Sequence, residues 1–172
     1  MRLGLETPED AARAAREIEG SLEERGLRDQ LAGLLVQQMV TREGAELFVG
    51  VTHDPLFGPL LACGSGGTLV ELMRDVAVRI TPVTDVDVDE MLRSLRTWKL
   101  FEGYRGQPPL DLEAVRSLLF RVSAMVEDLP HIAELDLIPV LVGEAGAGTI
   151  ALDARIRLAQ PRPKRPLGAR TT

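Results

Sequence analysis

Ala45-Glu46-Leu47-Phe48-Val49-Gly50-Val51-Thr52, then His53-Asp54-Pro55-Leu56-Phe57-Gly58-Pro59, then Leu60-Leu61-Ala62-Cys63-Gly64-Ser65-Gly66-Gly67 is the stretch whose reading settles the fold class. Its first part is rich in β-branched and apolar residues and reads as a strand. The middle is too rich in proline and glycine to continue a strand, so it is a shaped loop. Leu60 to Cys63 returns to the sheet before the glycines interrupt it. Thr68 to Leu72 and Val76 to Ile80 then complete an antiparallel set of short strands. Upstream, Leu34 to Val40 reads as a strand neighbouring Ala45 to Thr52, joined through Arg42-Glu43-Gly44. Its alternation puts Val36 and Gln38 on one face and Leu35, Gln37 and Met39 on the other, so a polar side chain faces a cleft.

Helical signals flank this sheet. Thr7-Pro8-Glu9-Asp10 supplies a hydroxyl cap, a proline at the first helical position and acids at the positive helix end. The helix should run to about Arg25 and end near Gly26. After Pro82, Val86, Met91, Leu92 and Leu95 mark a second helix that begins around Asp85, Asp87 and Asp89. A linker, Phe101 to Leu110, carries Gly103-Tyr104-Arg105-Gly106 and Pro108-Pro109. Asp111 then caps a helix with Leu112, Val115, Leu118, Leu119, Val122 and Met125 as its buried stripe. Ile132 to Val142 is extended, and Pro139 argues against a central, fully paired position there. Gly143 to Gly148 turns into a strand from Thr149 to Ala154. The expected domain, 1–159, is α+β, with a mostly antiparallel sheet and helices packed on one face. Residues 160–172 form a basic, proline-rich tail, expected to be flexible.

Hydrophobic residues make up 45% and charged residues 27% of the 172, the balance of a globular chain with a real core. Aromatic residues are only 3%, so aliphatic side chains must fill that core and few rings remain to stack on bases. A net charge of −6 with dispersed acids gives no broad basic footprint for nucleic acid. No apolar run is long enough to cross a bilayer, and the N-terminus lacks a leader pattern, so the expected address is the cytoplasm, away from membrane. Cys63, the single cysteine, excludes an internal disulfide and any cysteine-cluster metal site. It reads as apolar filler, and Trp98 as the anchor of a helix end. His53 and His131 are too few for a histidine-rich metal site.

Chemistry could reside in three constellations. Gln37, Gln38, Met39, Val40 and Glu46 offer the apolar walls, amides and carboxylate that an adenine and its ribose need. The same residues would serve as solvent-facing sheet. Gly64, Gly66 and Gly67 permit close backbone approach and exposed amides around an anion. Their spacing is neither the phosphate loop ending in Lys-Ser or Lys-Thr nor the dinucleotide pattern, and tight sheet turns use such glycines too. Glu134 and Asp136 share a face if their segment is a strand, and Asp153 can approach from the neighbouring one. Carboxylates with phosphate oxygens and water suit Mg²⁺. Surface acids are the competing reading.

Several long motifs occur together and in order: Val36-Gln37-Gln38-Met39-Val40, Gly44-Ala45-Glu46-Leu47, Asp54-Pro55-Leu56-Phe57-Gly58-Pro59, Gly64-Ser65-Gly66-Gly67-Thr68-Leu69-Val70-Glu71, Gly103-Tyr104-Arg105-Gly106, Glu134-Leu135-Asp136-Leu137-Ile138-Pro139 and Asp153-Ala154-Arg155. Through them the chain, from about Arg2 to Leu158, resembles the carboxyl-terminal part of the ATP-grasp region of ADP-forming acyl-CoA synthetases, which include succinyl-CoA synthetase-like subunits. The resemblance implies an ATP-grasp large lobe. Gln37 to Val40 would border adenine, and Glu46 would lie near adenine or ribose. The Gly64 to Gly67 turn would shape the phosphate region and Glu71 would support the cleft. Asp153 matches a Mg²⁺ ligand and Asp136 precedes another. Arg105 is a family marker that orders its loop or faces a partner. No catalytic residue is assigned. In a complete relative, ATP, Mg²⁺, a carboxylic acid and CoA enter a reversible acid–thiol ligase reaction.

Two departures shape the expected function. The family's acidic segment continues Asp-Ile-Asn-Pro-Leu, whereas here it reads Asp136-Leu137-Ile138-Pro139-Val140, and isoleucine has no ligand atom. The family's small lobe, with its phosphate-binding lysine, and a phosphohistidine segment precede the matched region, and neither His53 nor His131 matches that histidine. The expectation is therefore an incomplete or degenerate nucleotide-binding lobe for ATP or ADP with a weakened Mg²⁺ site. It would need a CoA-binding subunit or a separate ATP-grasp portion for ligase activity. The alternative is a non-catalytic interaction or regulatory domain that kept the scaffold.

Overall fold

The computed structural model describes residues 1–66 and 75–160. Two compact units divide the chain, 1–42 and 43–172. The first contains helix α1 (Pro8–Glu24) and a single 3-10 turn (Arg28–Gln30). Thr7 and Asp10 form a reciprocal capping box, and Arg13 pairs with Asp10 on the first turn. The cap, the proline and the helix end all agree with the sequence. Leu34 to Val40, expected as a strand, is irregular.

The second unit is built on a six-stranded sheet of order β3-β2-β1-β4-β5, with β6 also pairing β4. Its strands are β1 (Ala45–Asp54), β2 (Gly58–Ser65), β3 (Val76–Ile80), β4 (Ile132–Val142), β5 (Thr149–Ala151) and β6 (Ala154–Leu158). All pairings are antiparallel. Because β1 has β2 on one edge and β4 on the other, no edge of it is left for Leu34 to Val40. The apolar alternation there is real, yet Leu35 and Val36 remain exposed.

Among the described residues three helices follow β3: α2 (Asp85–Ser94), α3 (Trp98–Phe101) and α4 (Leu112–Asp128). Thr84 and Asp87 cap α2 reciprocally, and Asp111 caps α4. The other Asp111 oxygen accepts from the Gly148 amide at 2.8 Å, tying the start of α4 to the β4–β5 turn. Val88, Met91 and Leu92 of α2 and Val115, Leu119 and Val122 of α4 pack into one core with Leu47, Val49, Val51, Leu61, Leu135 and Val140 of the sheet. One face of the sheet is thus covered by helices. Trp98 does anchor a helix end: its ring lies beside Phe101 and under Arg93, and its Nε1 donates to Glu102 at 2.9 Å. Among the described residues no helix is long and apolar enough to cross a membrane.

Of the expectations about β4 and its partners, one holds and one is corrected. Pro139 is not fully paired, as expected, although β4 itself is central: the sheet breaks pairing around it. On one side, Phe48 of β1 faces both Ile138 and Pro139 in a bulge between the Leu47–Val140 and Val49–Leu137 pairs. On the other side, the expected single strand from Thr149 to Ala154 splits into β5 and β6 at Leu152-Asp153. The missing amide therefore falls where no ladder bond is required. The carbonyl of Pro139 still accepts from Leu152 at 2.9 Å. The expected strand Thr68 to Leu72 and the basic residues of the tail lie outside the described residues.

The segment between β2 and β3 has a clamped base. Asp75 is buried, and its carboxylate accepts from the Ser65 hydroxyl at 2.7 Å, the Arg96 amide at 2.7 Å and the Thr97 amide at 3.2 Å. Burial pushes this carboxyl up, but those donors outweigh it and hold it below its ordinary value of 3.8. The neighbouring Cys63 thiol is pushed up to about 12 by burial first and the Asp75 charge second, which makes it inert filler. A depressed carboxyl contributes stability above its ordinary value and loses that contribution as pH falls through the depressed one. Asp75→Ala should lower unfolding free energy in urea by about 3 kcal/mol. Asp75→Asn should flatten the acid loss of stability seen in the wild type. A cost under about 1 kcal/mol would contradict the clamp.

Candidate functional site

The uncovered face of the sheet follows from strand alternation. Leu47, Val49 and Val51 point to the helices, so Glu46, Phe48, Gly50 and Thr52 point away from them. Register extends that face across the neighbours. Gly64, Ala62 and Leu60 of β2 stand opposite Phe48, Gly50 and Thr52, and Val76, Val78 and Ile80 of β3 continue an exposed apolar strip. On the other side Asp136 pairs with Gly50 and Glu134 with Thr52, followed by Arg155 and Arg157 of β6.

At one end of this face the structure brings together Glu46, Gly64 and Gly66. The Gly66 amide donates to the Glu46 carbonyl at 2.7 Å. A Cβ on Gly66 would meet the Glu46 carbonyl carbon at 2.6 Å, and one on Gly64 would meet the Asp75 carbonyl oxygen at 2.3 Å and the Phe48 ring at 2.7 Å. Both glycines thus have a packing reason in the backbone itself. Gly67 lies outside the described residues. Gln37, Gln38, Met39 and Val40 belong to the first unit and are not part of the sheet; all but Val40 are exposed.

Farther along the face lies an acidic corner. Asp136 stands opposite Arg155 in register, and Asp153, just outside β6, is ion-paired with that arginine, so both acids border it. Ile138 is joined to Asp153 by its backbone amide, which donates to the Asp153 carbonyl at 3.2 Å. The Arg155 guanidinium lies 3.6 Å from the Asp153 carboxylate, and Arg157 lies 2.5 Å from Glu134. The hydrogen bond from Arg157 holds Glu134 below the usual carboxylate range. Glu134, Asp136 and Asp153 against Arg155 and Arg157 leave one net negative charge, so the corner favours an entering cation.

Asp136 and Asp153 supply the hard oxygen donors that Mg²⁺ takes, and Mg²⁺ is commonly held by one or two carboxylates with waters and substrate phosphates. Ile138, adjoining both, supplies none. Among the described residues no cluster of three or more His, Cys, Asp or Glu side chains gathers for a metal ion. The donors fit in kind, and their number is low. The sequence pattern places Gly50 only within a strand. It lies beneath Asp136: a Cβ there would sit 3.3 Å from its Oδ1. The available signal was a glycine in the middle of an apolar strand.

Other features lie off this face. A groove of about 490 Å³ between α2 and α4 is lined by Asp85, Asp89, Arg116 and Phe120 on the helical side. Arg105 has a left-handed backbone, φ 51°, between two glycines of positive φ, and its guanidinium lies over the Tyr104 ring.

A family model described as an ATP-grasp domain matches residues 1–158. The chain is 36% identical over 159 residues to the beta subunit of acetate–CoA ligase [ADP-forming] II of Pyrococcus furiosus, covering 92% of this chain and 67% of that one. It is 40% identical over 141 residues to acetate–CoA ligase [ADP-forming] I of Archaeoglobus fulgidus, covering 82% of this chain and only 20% of the relative. Among solved structures, a dinucleotide-forming acetyl-coenzyme A synthetase of Ca. Korarchaeum cryptofilum superposes with a TM-score of 0.82 at 36% identity, over 92% of this chain and 69% of that one. Another structure of that enzyme, with a TM-score of 0.78 and 35% identity over 92% of this chain and 67% of that one, holds coenzyme A and Mg-AMPPCP.

The backbone contacts at Gly64 and Gly66 lead to a direct expectation. Gly64→Ala and Gly66→Ala should each destabilise the fold by about 1–3 kcal/mol in thermal or urea unfolding, because the obstructing atoms are main chain. Wild-type stability for either variant would show that the strand ends are looser than described.

Proposed function

Because this chain belongs to the ATP-grasp domains of ADP-forming acyl-CoA synthetase beta-subunit-like proteins, we propose that its open sheet face binds a nucleoside di- or triphosphate with a divalent cation. The observation that carries this is the placement of Glu46 and the acidic corner on one face of one sheet. Glu46 and Gly50 lie four residues apart on β1, about 13 Å, a run along which an extended nucleotide can lie.

Glu46 would accept from ribose hydroxyls. Gly64 and Gly66, at the end of β2, would shape the phosphate region, and Gly67 would share that role. Asp136 and Asp153 would hold Mg²⁺, which when bound neutralises phosphate charge and orients the phosphate oxygens. Arg155, beside Asp153, offers a guanidinium to those oxygens once the cation relieves the negative corner. Ile138 leaves the cation one donor short, so affinity for the metal complex should be low.

The relatives are ligases, and this chain spans between a fifth and about two thirds of their length. We assign it the nucleotide-binding share of such a reaction, with no catalytic residue of its own. A partner that binds CoA or supplies the remaining ATP-grasp surface would complete any acid–thiol ligase activity in the cytoplasm. The acyl substrate does not follow from these residues. A second reading, a scaffold that kept the lobe for protein interaction or regulation, is favoured by the same Ile138.

Calorimetry with ATP and ADP, with and without Mg²⁺, separates the two. Native protein should bind ADP weakly, and Ile138→Asn should strengthen the Mg²⁺-dependent part by roughly tenfold. Absence of binding by both proteins would favour the scaffold.

A further inference from the structure

Gly50 stands in the interior of β1 with both edges of that strand paired, a position where glycine weakens a sheet. No backbone need explains it, since Gly50 is not among the glycines of positive φ. Nor does a main-chain collision as severe as those at Gly64 and Gly66. A Cβ at Gly50 would stand 3.3 Å from Asp136 Oδ1, 3.3 Å from the Leu135 carbonyl oxygen and 3.7 Å from the Phe48 ring. These contacts are tight but bearable, and the group free to yield is the Asp136 carboxylate.

That carboxylate has nothing else to fix it. No hydrogen bond or ion pair involves the Asp136 side chain among the described residues, although Arg155 stands opposite in register. The guanidinium of Arg155 leans to Asp153. The bare backbone of Gly50 therefore lets the Asp136 side chain lie over β1, and leaves the face beside it open to a ligand.

We infer that Gly50 is a positioning residue for the nucleotide-bound cation: its missing side chain sets where the Asp136 carboxylate meets the metal. This rests on the nucleotide and metal reading above. A methyl group at this position would push the carboxylate aside by a few tenths of an ångström while leaving the backbone conformation allowed.

Gly50→Ala tests it through two readouts. Side-chain couplings of Asp136, measured by NMR without ligand, should shift, and the melting temperature should stay within a few degrees of wild type. In calorimetry the affinity for Mn²⁺·ADP should drop roughly tenfold, a larger fold-loss than for metal-free ADP. Asp136→Glu in the Gly50→Ala background should recover part of that loss, because the longer carboxylate reaches past the methyl. Unchanged couplings, or an unchanged Mn²⁺·ADP affinity where wild type binds, overturns the positioning role alone. Failure of Gly50→Ala to fold overturns it too, by showing that the Leu135 carbonyl, not the carboxylate, is the obstacle. Absence of Mn²⁺·ADP binding by wild type and by Ile138→Asn removes the nucleotide reading, and this inference with it.

Discussion

Hydrogen bonding along both edges of β1 is the constraint from which the rest of the second unit follows. With β2 on one side and β4 on the other, β1 can neither slip nor take another partner. A slip of one residue would turn Leu47, Val49 and Val51 out of the helical core and bury Glu46 and Thr52. The register thus fixes the core and the polar face in one stroke. It also sets Gly50 opposite Asp136.

The proposed site occupies a place where the sheet pairing is interrupted. Around Pro139 the ladder bulges toward β1 and changes partner from β6 to β5. At that break Asp153 leaves the regular pairing with its carboxylate exposed, while its carbonyl still holds Ile138. Surface ion pairs such as Arg155 with Asp153 contribute little to stability, at most about 1 kcal/mol. Such a pair can rearrange at little cost, as the proposed cation site requires. The buried Asp75 is the contrary case, a carboxylate satisfied by main-chain amides beside the end of β2.

Much of this fold was legible from local signals. Thr7-Pro8 and Asp111 marked helix starts through capping chemistry that acts within one turn, and the alternation from Ala45 to Thr52 marked β1. The mostly antiparallel sheet with helices on one face was recovered as well. What local pattern could not supply was partnership. Leu34 to Val40 alternates as a strand would, but alternation is silent about whether a free edge exists. Pro139 was judged by its missing amide, whereas the bulge that excuses it depends on Phe48, distant in sequence. The candidate acids were legible by motif. Gly50 was missed because its meaning lies across the sheet, in a contact with Asp136 rather than in its own neighbours.

The central claim is that a divalent cation, with a nucleotide, sits at the corner made by Asp136 and Asp153. Paramagnetic broadening of backbone amide signals by Mn²⁺ in the presence of ADP reads this position directly. The account predicts selective broadening of Gly50, Asp136 to Ile138 and Asp153 to Arg155, reversed by excess Mg²⁺. Broadening centred instead on Asp85, Asp89 and Glu113 at the helical groove, or none at this corner, would contradict it.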